Sequence, residues 1–165
     1  KKVLEIMQKG VVIYKLFNLG WDVSNHFGDG CDLIAEKDNQ FIKIELKAID
    51  LNAIQDGKNA SQHLTANEIV TSTHLIVTVF NNIQMKSNYI MSIRQFVENS
   101  GVKKYDFYDN FDSFVSDYRK LSKEKSSRKK NWKGEKKRLD FDFNFNPRRI
   151  DKWRLAKFED QWTNL

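Results

Sequence analysis

The chain has 165 residues, 40% of them hydrophobic and 13% aromatic, enough apolar side chain to build one folded core and too much for a disordered polypeptide. Its one cysteine, Cys31, excludes a disulfide framework and a cysteine-based zinc site; with no apolar run of membrane-spanning length and no secretion signal at the start, the expected compartment is the cytoplasm. A formal net charge of +6 favours an anionic partner.

In chain order, residues 2–19 place Val3, Leu4, Met7, Val11 and Tyr14 at helical spacing, with Gly10 as a weak point and Gly20 as a stop. Short strands are predicted at 21–24 and 31–36, and a longer one at 40–48. Residues 74–80 form a β-branched run expected as a buried, central strand. A further strand is predicted at 88–93 and a helix at 111–121. Leu139, Phe141, Phe143 and Phe145 alternate with polar residues over 139–146, a strand with one apolar face. Leu155, Phe158, Trp162 and Leu165 then form a stripe at helical spacing. A helix, a run of strands and further helices predict an α/β or α+β domain, a mixed central sheet flanked by helices.

The charge is unevenly spread. Residues 1–118 carry 12 basic and 15 acidic side chains, whereas residues 119–138 carry 11 basic and two acidic ones, a local net of +9. This divides the chain into a core at 1–118 and, at 119–165, a basic segment followed by an aromatic strand and helix. Arg128, Lys129, Lys130, Lys133, Lys136, Lys137 and Arg138 are the candidate phosphate contacts, with a solvated linker as the alternative. An aromatic face as large as that of 139–165 suggests a homodimer or a larger complex if it lies outside the core.

Residues 31–35 and 41–47 carry the chemistry. A hairpin closed at Asp38 and Asn39, residues that tolerate positive φ, pairs Leu33 with Ile44 and Ala35 with Ile42 on one apolar face. Asp32 then falls opposite Glu45, and Lys47 projects from the same polar face. Two carboxylates with Cβ atoms about 5 Å apart are unfavourable without compensation. A divalent cation compensates them: Mg²⁺, or Mn²⁺ in its place, takes one or two carboxylates and keeps its remaining positions for water and phosphate oxygens, and the Leu46 carbonyl could add a ligand. The acid-x-Lys spacing alone carries no weight. It occurs three times, at Glu45/Lys47, Asp56/Lys58 and Glu135/Lys137, where chance gives about 2.8. The flanking strand and the opposing Asp32 set the first copy apart.

Residues 30–35 and 41–47, joined by a polar bend, resemble the catalytic hairpin of the PD-(D/E)xK nuclease superfamily, closest to its Holliday-junction-resolvase and restriction-endonuclease-like branches. Residues 15–23 are similar to the end of the first helix and the first strand of that fold, and the likeness covers residues 1 to about 80. It implies a restriction-endonuclease-like core and a metal-dependent DNA endonuclease that hydrolyses phosphodiester bonds by a Mg²⁺-activated water. Asp32 and Glu45 are then the metal ligands, and Lys47 orients the attacking water. Cys31 stands where the motif has proline. The first-helix glutamate of many members would fall near Gln8 or Lys9, so either Glu5, one turn earlier, supplies it or the site lacks it. The second case describes the alternative function, a catalytically inactive DNA-binding or assembly module. His26, His63 and His74 are expected to be structural, and Gln55 or Gln62 could contact a phosphate.

Overall fold

The computed structural model describes residues 2–26, 30–54, 60–99, 113, 116, 141–145 and 153–165. Helix α1 (Lys2–Asn18) leads into β1 (Asp22–Asn25), β2 (Leu33–Lys37) and β3 (Gln40–Asp50); β4 (Ala60–Leu64) and helix α2 (Ala66–Thr71) follow, then β5 (His74–Asn81), β6 (Gln84–Ser92), helix α3 (Ile93–Asn99) and β7 (Phe141–Phe145).

Five strands form one sheet in the order β1-β2-β3-β5-β6, and β4 and β7 form a separate two-stranded sheet. The β3–β5 pairing is parallel and the other pairings are antiparallel. This is the expected mixed sheet of an α+β domain, with the 74–80 strand inside it. The β2–β3 hairpin has the expected register, Leu33 facing Ile44 and Ala35 facing Ile42. Asp38 and Asn39 both have positive φ at its turn.

Side chains alternate between the two faces of the sheet, and each face has its own core. Val12, Leu16 and Trp21 pack with Leu33, Ala35, Ile42, Ile44, Ile76 and Ile90 on one face. On the other, Ile49, Leu75, Val77 and Val79 pack with Ile69 of α2, Ile93, Phe96 and Val97 of α3, and Leu155 and Phe158. Leu155 and Phe158 are buried with β5, and β7 pairs with β4.

Several local expectations are corrected. Helix α1 runs unbroken through Gly10, whose missing side chain would meet no other atom, and its buried row is Leu4, Gln8, Val12 and Leu16. Val3 and Tyr14 of the predicted stripe are 61% and 68% exposed, because the inward positions are taken by Leu4, Val12 and Leu16 together with Gln8, whose amide bonds to the sheet. Strand β6 starts four residues earlier than predicted, after a turn in which Asn82 and Ile83 both take positive φ. The C-terminal stripe forms two 3₁₀ turns, Ala156–Phe158 and Trp162–Asn164, in place of a helix. Asp160, at φ 48°, interrupts any helix between them. The 139–146 strand is found as β7. The predicted helix at 111–121 lies outside the described residues except for Ser113 and Ser116, both helical and exposed. The basic residues Arg128, Lys129, Lys130, Lys133, Lys136, Lys137 and Arg138 lie outside them entirely.

Candidate active site

Strand β3 continues beyond the end of β2, and the site forms where it does. The ladder ends at the Leu33–Ile44 pair. Asp32, just before it, donates its N–H to the Ile44 carbonyl at 2.8 Å. Its carboxylate Oδ2 accepts the Leu46 N–H at 2.9 Å, replacing with a side chain the partner that β2 no longer supplies.

Ile42, Ile44 and Leu46 turn toward the α1 face of the sheet. Period-2 alternation therefore puts Glu45, Lys47 and Ile49 on the opposite face, the one covered by α2, and Asp32, out of phase with Leu33, shares that face. Lys47 Nζ lies 2.9 Å from Glu45 Oε1 and 3.0 Å from Glu68 Oε1. Glu45 is only 5% exposed.

Burial pushes the Glu45 carboxyl up to about 8, with the charges of Asp32 and Glu68 adding to the rise against the opposing pull of Lys47. Burial alone would depress the Lys47 ammonium, but Glu45 and Glu68 hold it above its ordinary value. Burial likewise works against ionisation of Glu68, yet the Thr65 N–H and Lys47 hold its carboxyl below the usual range. Glu68 is thus the ionised partner of the ammonium, while burial favours the protonated form of Glu45.

Glu68 is a site residue that the sequence pattern did not reveal. It is N3 of α2 in a capping box: its N–H donates to Thr65 Oγ1 at 3.2 Å and its Oε2 accepts the Thr65 N–H at 2.6 Å. The signature Thr65-x-x-Glu68 could have revealed both the helix and this glutamate. At its other end α2 is tied to the start of the Asp32 segment: Ser72 Oγ donates to the Gly30 carbonyl at 2.6 Å, and Thr71 Oγ1 lies 2.6 Å from both that carbonyl and the Asn67 carbonyl of its own helix. Gly30 has φ +111°, and a Cβ there would collide with Thr71 Oγ1.

The structure brings Asp32, Glu45, Leu46 and Lys47 together and leaves Glu5 apart. Glu5 is exposed on α1, which covers the opposite face of the sheet from Glu45 and Lys47. On α1, Gln8, 1% exposed, is bonded to the backbone of the site strand. Its amide Nε2 is within hydrogen-bonding distance of the Lys47 carbonyl (3.0 Å), the Ile76 carbonyl (3.3 Å) and Thr78 Oγ1 (3.0 Å). A backbone clamp thus occupies the place where the resemblance anticipated a carboxylate. Among the described residues, no group of three or more His, Cys, Asp or Glu side chains is arranged to hold a metal ion. The oxygens available are the two carboxylates of Asp32 and Glu45 and the neighbouring backbone, a hard donor set that fits Mg²⁺ or Mn²⁺ binding with most positions left to water and phosphate. His74 is structural, its ring nitrogens bonded to Thr73 Oγ1 and the Asn164 carbonyl. Gln62 Nε2 donates to the Ala48 carbonyl, and Gln55 lies outside the described residues.

No family model matches the chain, and no curated protein matches it. Among solved structures, the bacterial homing endonuclease I-Ssp6803I aligns with a TM-score of 0.44 and 13% identity, over 79% of this chain and 99% of that one. Hjc, a Holliday junction resolvase from Archaeoglobus fulgidus, aligns with a TM-score of 0.37 and 14% identity, over 55% of this chain and 73% of that one.

Proposed function

We propose that the chain is a metal-dependent DNA endonuclease of the PD-(D/E)xK kind. The observation that carries this reading is the shared face of Asp32, Glu45 and Lys47, with Glu45 buried and Lys47 Nζ 2.9 Å from it. In this reading Asp32 and Glu45, with the Leu46 carbonyl, hold Mg²⁺ or Mn²⁺, and the ion supplies Lewis acidity toward the scissile phosphate and activation of the attacking water.

The chain's own residues do the rest. Asp32 holds β3 in register through the Leu46 N–H while presenting its other oxygen. Glu45 would serve as a ligand in its carboxylate form, its proton given up to solvent. Lys47 stays an ammonium, held by Glu68, and its remaining N–H orients water and stabilises charge on the phosphate, since an amine with a raised pKa is a poor base. The basic segment at 119–138 grips backbone phosphates. Cutting both strands of a duplex calls for two such centres, so a homodimer through the aromatic C-terminal region belongs to the same proposal.

Incubation of the protein with duplex, branched and single-stranded DNA, with Mg²⁺, with Mn²⁺ and with EDTA, tests the reading. Metal-dependent cleavage that disappears in Glu45→Ala supports it. Gln8 favours the second reading, an inactive DNA-binding or assembly module, because it fills an inward α1 position with an amide that is committed to the backbone. That reading expects salt-sensitive DNA binding with no cleavage under any metal.

A further inference from the structure

We infer that Glu68 is a positioning residue that holds the Lys47 ammonium in the site independently of Glu45, with α2 as its carrier. The inference rests on the nuclease reading for its consequence in catalysis, and on geometry alone for the holding role. Both oxygens of the Glu68 carboxylate are committed: Oε2 to the Thr65 N–H at 2.6 Å and Oε1 to Lys47 Nζ at 3.0 Å. The first bond aims the second, because it fixes the carboxylate against the start of its own helix. The helix is in turn braced at its far end by Thr71 and Ser72 on the Gly30 carbonyl, two residues before Asp32. One six-residue helix thus fixes both the lysine of the site and the approach to its first acid.

The need for such a holder follows from the role given to Glu45. Lys47 Nζ lies against two carboxyl groups, Glu45 and Glu68, and a cation bound by Glu45 would take one of them away. Glu68 remains, so the ammonium stays aimed at the space beside Asp32 and Glu45 whether or not a cation is present. Without Glu68, a flexible four-carbon side chain would be released when the site is loaded, and a misplacement of about 1 Å can cost about 100-fold in rate.

Two measurements on the full chain test this. In the first, brief amine acylation of the metal-free protein is read by mass spectrometry at Lys47, with exposed Lys43 as the reference. Lys47 is expected to remain protected in Glu45→Gln and in Thr65→Ala, which keeps the backbone N–H that aims Glu68. It is expected to gain label several-fold in Glu68→Gln, a change that preserves an E/Q capping partner at N3. In the second, with Mg²⁺ and DNA, Glu68→Gln is expected to lower kcat about tenfold or more with KM nearly unchanged, and Glu68→Asp to recover part of the loss.

Wild-type labelling of Lys47 in Glu68→Gln overturns the inference, as does equal release of Lys47 by Glu45→Gln. A lowered melting temperature in Glu68→Gln with unchanged labelling assigns the residue to the helix cap and also overturns it. If the wild-type protein cleaves nothing while Lys47 is released only in Glu68→Gln, the nuclease reading fails and the holding role stands.

Discussion

Asp32 Oδ2 accepts the backbone N–H of Leu46 at 2.9 Å, so the first acid of the site also fixes the strand that carries the other two site residues. Ligand role and structural role are therefore separable by substitution. Asp32→Asn keeps an acceptor for Leu46 and removes the charge, so cleavage is expected to fall at least about 100-fold with little change in unfolding free energy. Asp32→Ala also leaves the Leu46 N–H without that partner and is expected to cost about 1 kcal/mol more, measured by urea denaturation.

Glu45 gives the site a pH dependence with a defined sign. Its folded carboxyl is raised to about 8 from an ordinary value of 4.5, chiefly by burial. The folded state therefore holds the proton more tightly than the unfolded state. Its contribution to stability is fully present below the unfolded value and is lost as pH rises through about 8. Metal binding must displace the same proton. Apparent Mn²⁺ affinity, by calorimetry, should thus rise by about tenfold per pH unit below that value and level off above it. Glu45→Gln should abolish both trends.

Gln8 joins α1 to β3 and β5 from within the core. Gln8→Leu removes the donor shared by the Lys47 carbonyl, the Ile76 carbonyl and Thr78 Oγ1, and is expected to destabilise the fold by about 1–3 kcal/mol. Gln8→Glu places a carboxylate against carbonyl oxygens in a buried site. It should be more damaging at neutral pH than at about pH 5, where the new group is protonated, as denaturant midpoints at the two values would show.

The basic segment is expected to set affinity and leave the chemistry alone. Changing Lys129, Lys130 and Lys133 to Gln should weaken DNA binding and reduce the slope of log affinity against log salt by about 0.9 for each phosphate that is no longer neutralised. Single-turnover cleavage at saturating protein should be nearly unaffected. An unchanged salt slope would remove this segment from the interface.

The hairpin was legible because two alternating patterns had to match: only one register places Leu33 and Ala35 against Ile44 and Ile42, and the structure has that register. The same alternation put Asp32, Glu45 and Lys47 on one face. The elements β4, α2 and α3 were not legible: at five to seven residues each the helices are too short for a helical period, and β4 lacks the apolar–polar alternation that marks the equally short β2 and β7. Helix α2 carried its signal in capping chemistry rather than in periodicity, and Glu68 was missed with it. The inward turn of Gln8 was hidden for another reason. A helical stripe is read from apolar residues, whereas the inward row of α1 includes a polar one whose partners belong to β3 and β5, 39 and 68 residues away along the chain. In the C-terminal stripe the spacing was right and the element was wrong, since Asp160 adopts a φ that no helix permits.

The most direct test of the central claim is a cleavage assay on duplex, branched and single-stranded DNA with Mg²⁺, Mn²⁺ or EDTA, comparing wild type with Glu45→Ala. The wild-type protein is expected to cleave at least one substrate, and that cleavage to be abolished by EDTA and by Glu45→Ala while DNA binding persists. Cleavage by Glu45→Ala at the wild-type rate, or cleavage undiminished in EDTA, would contradict the proposed role of the site.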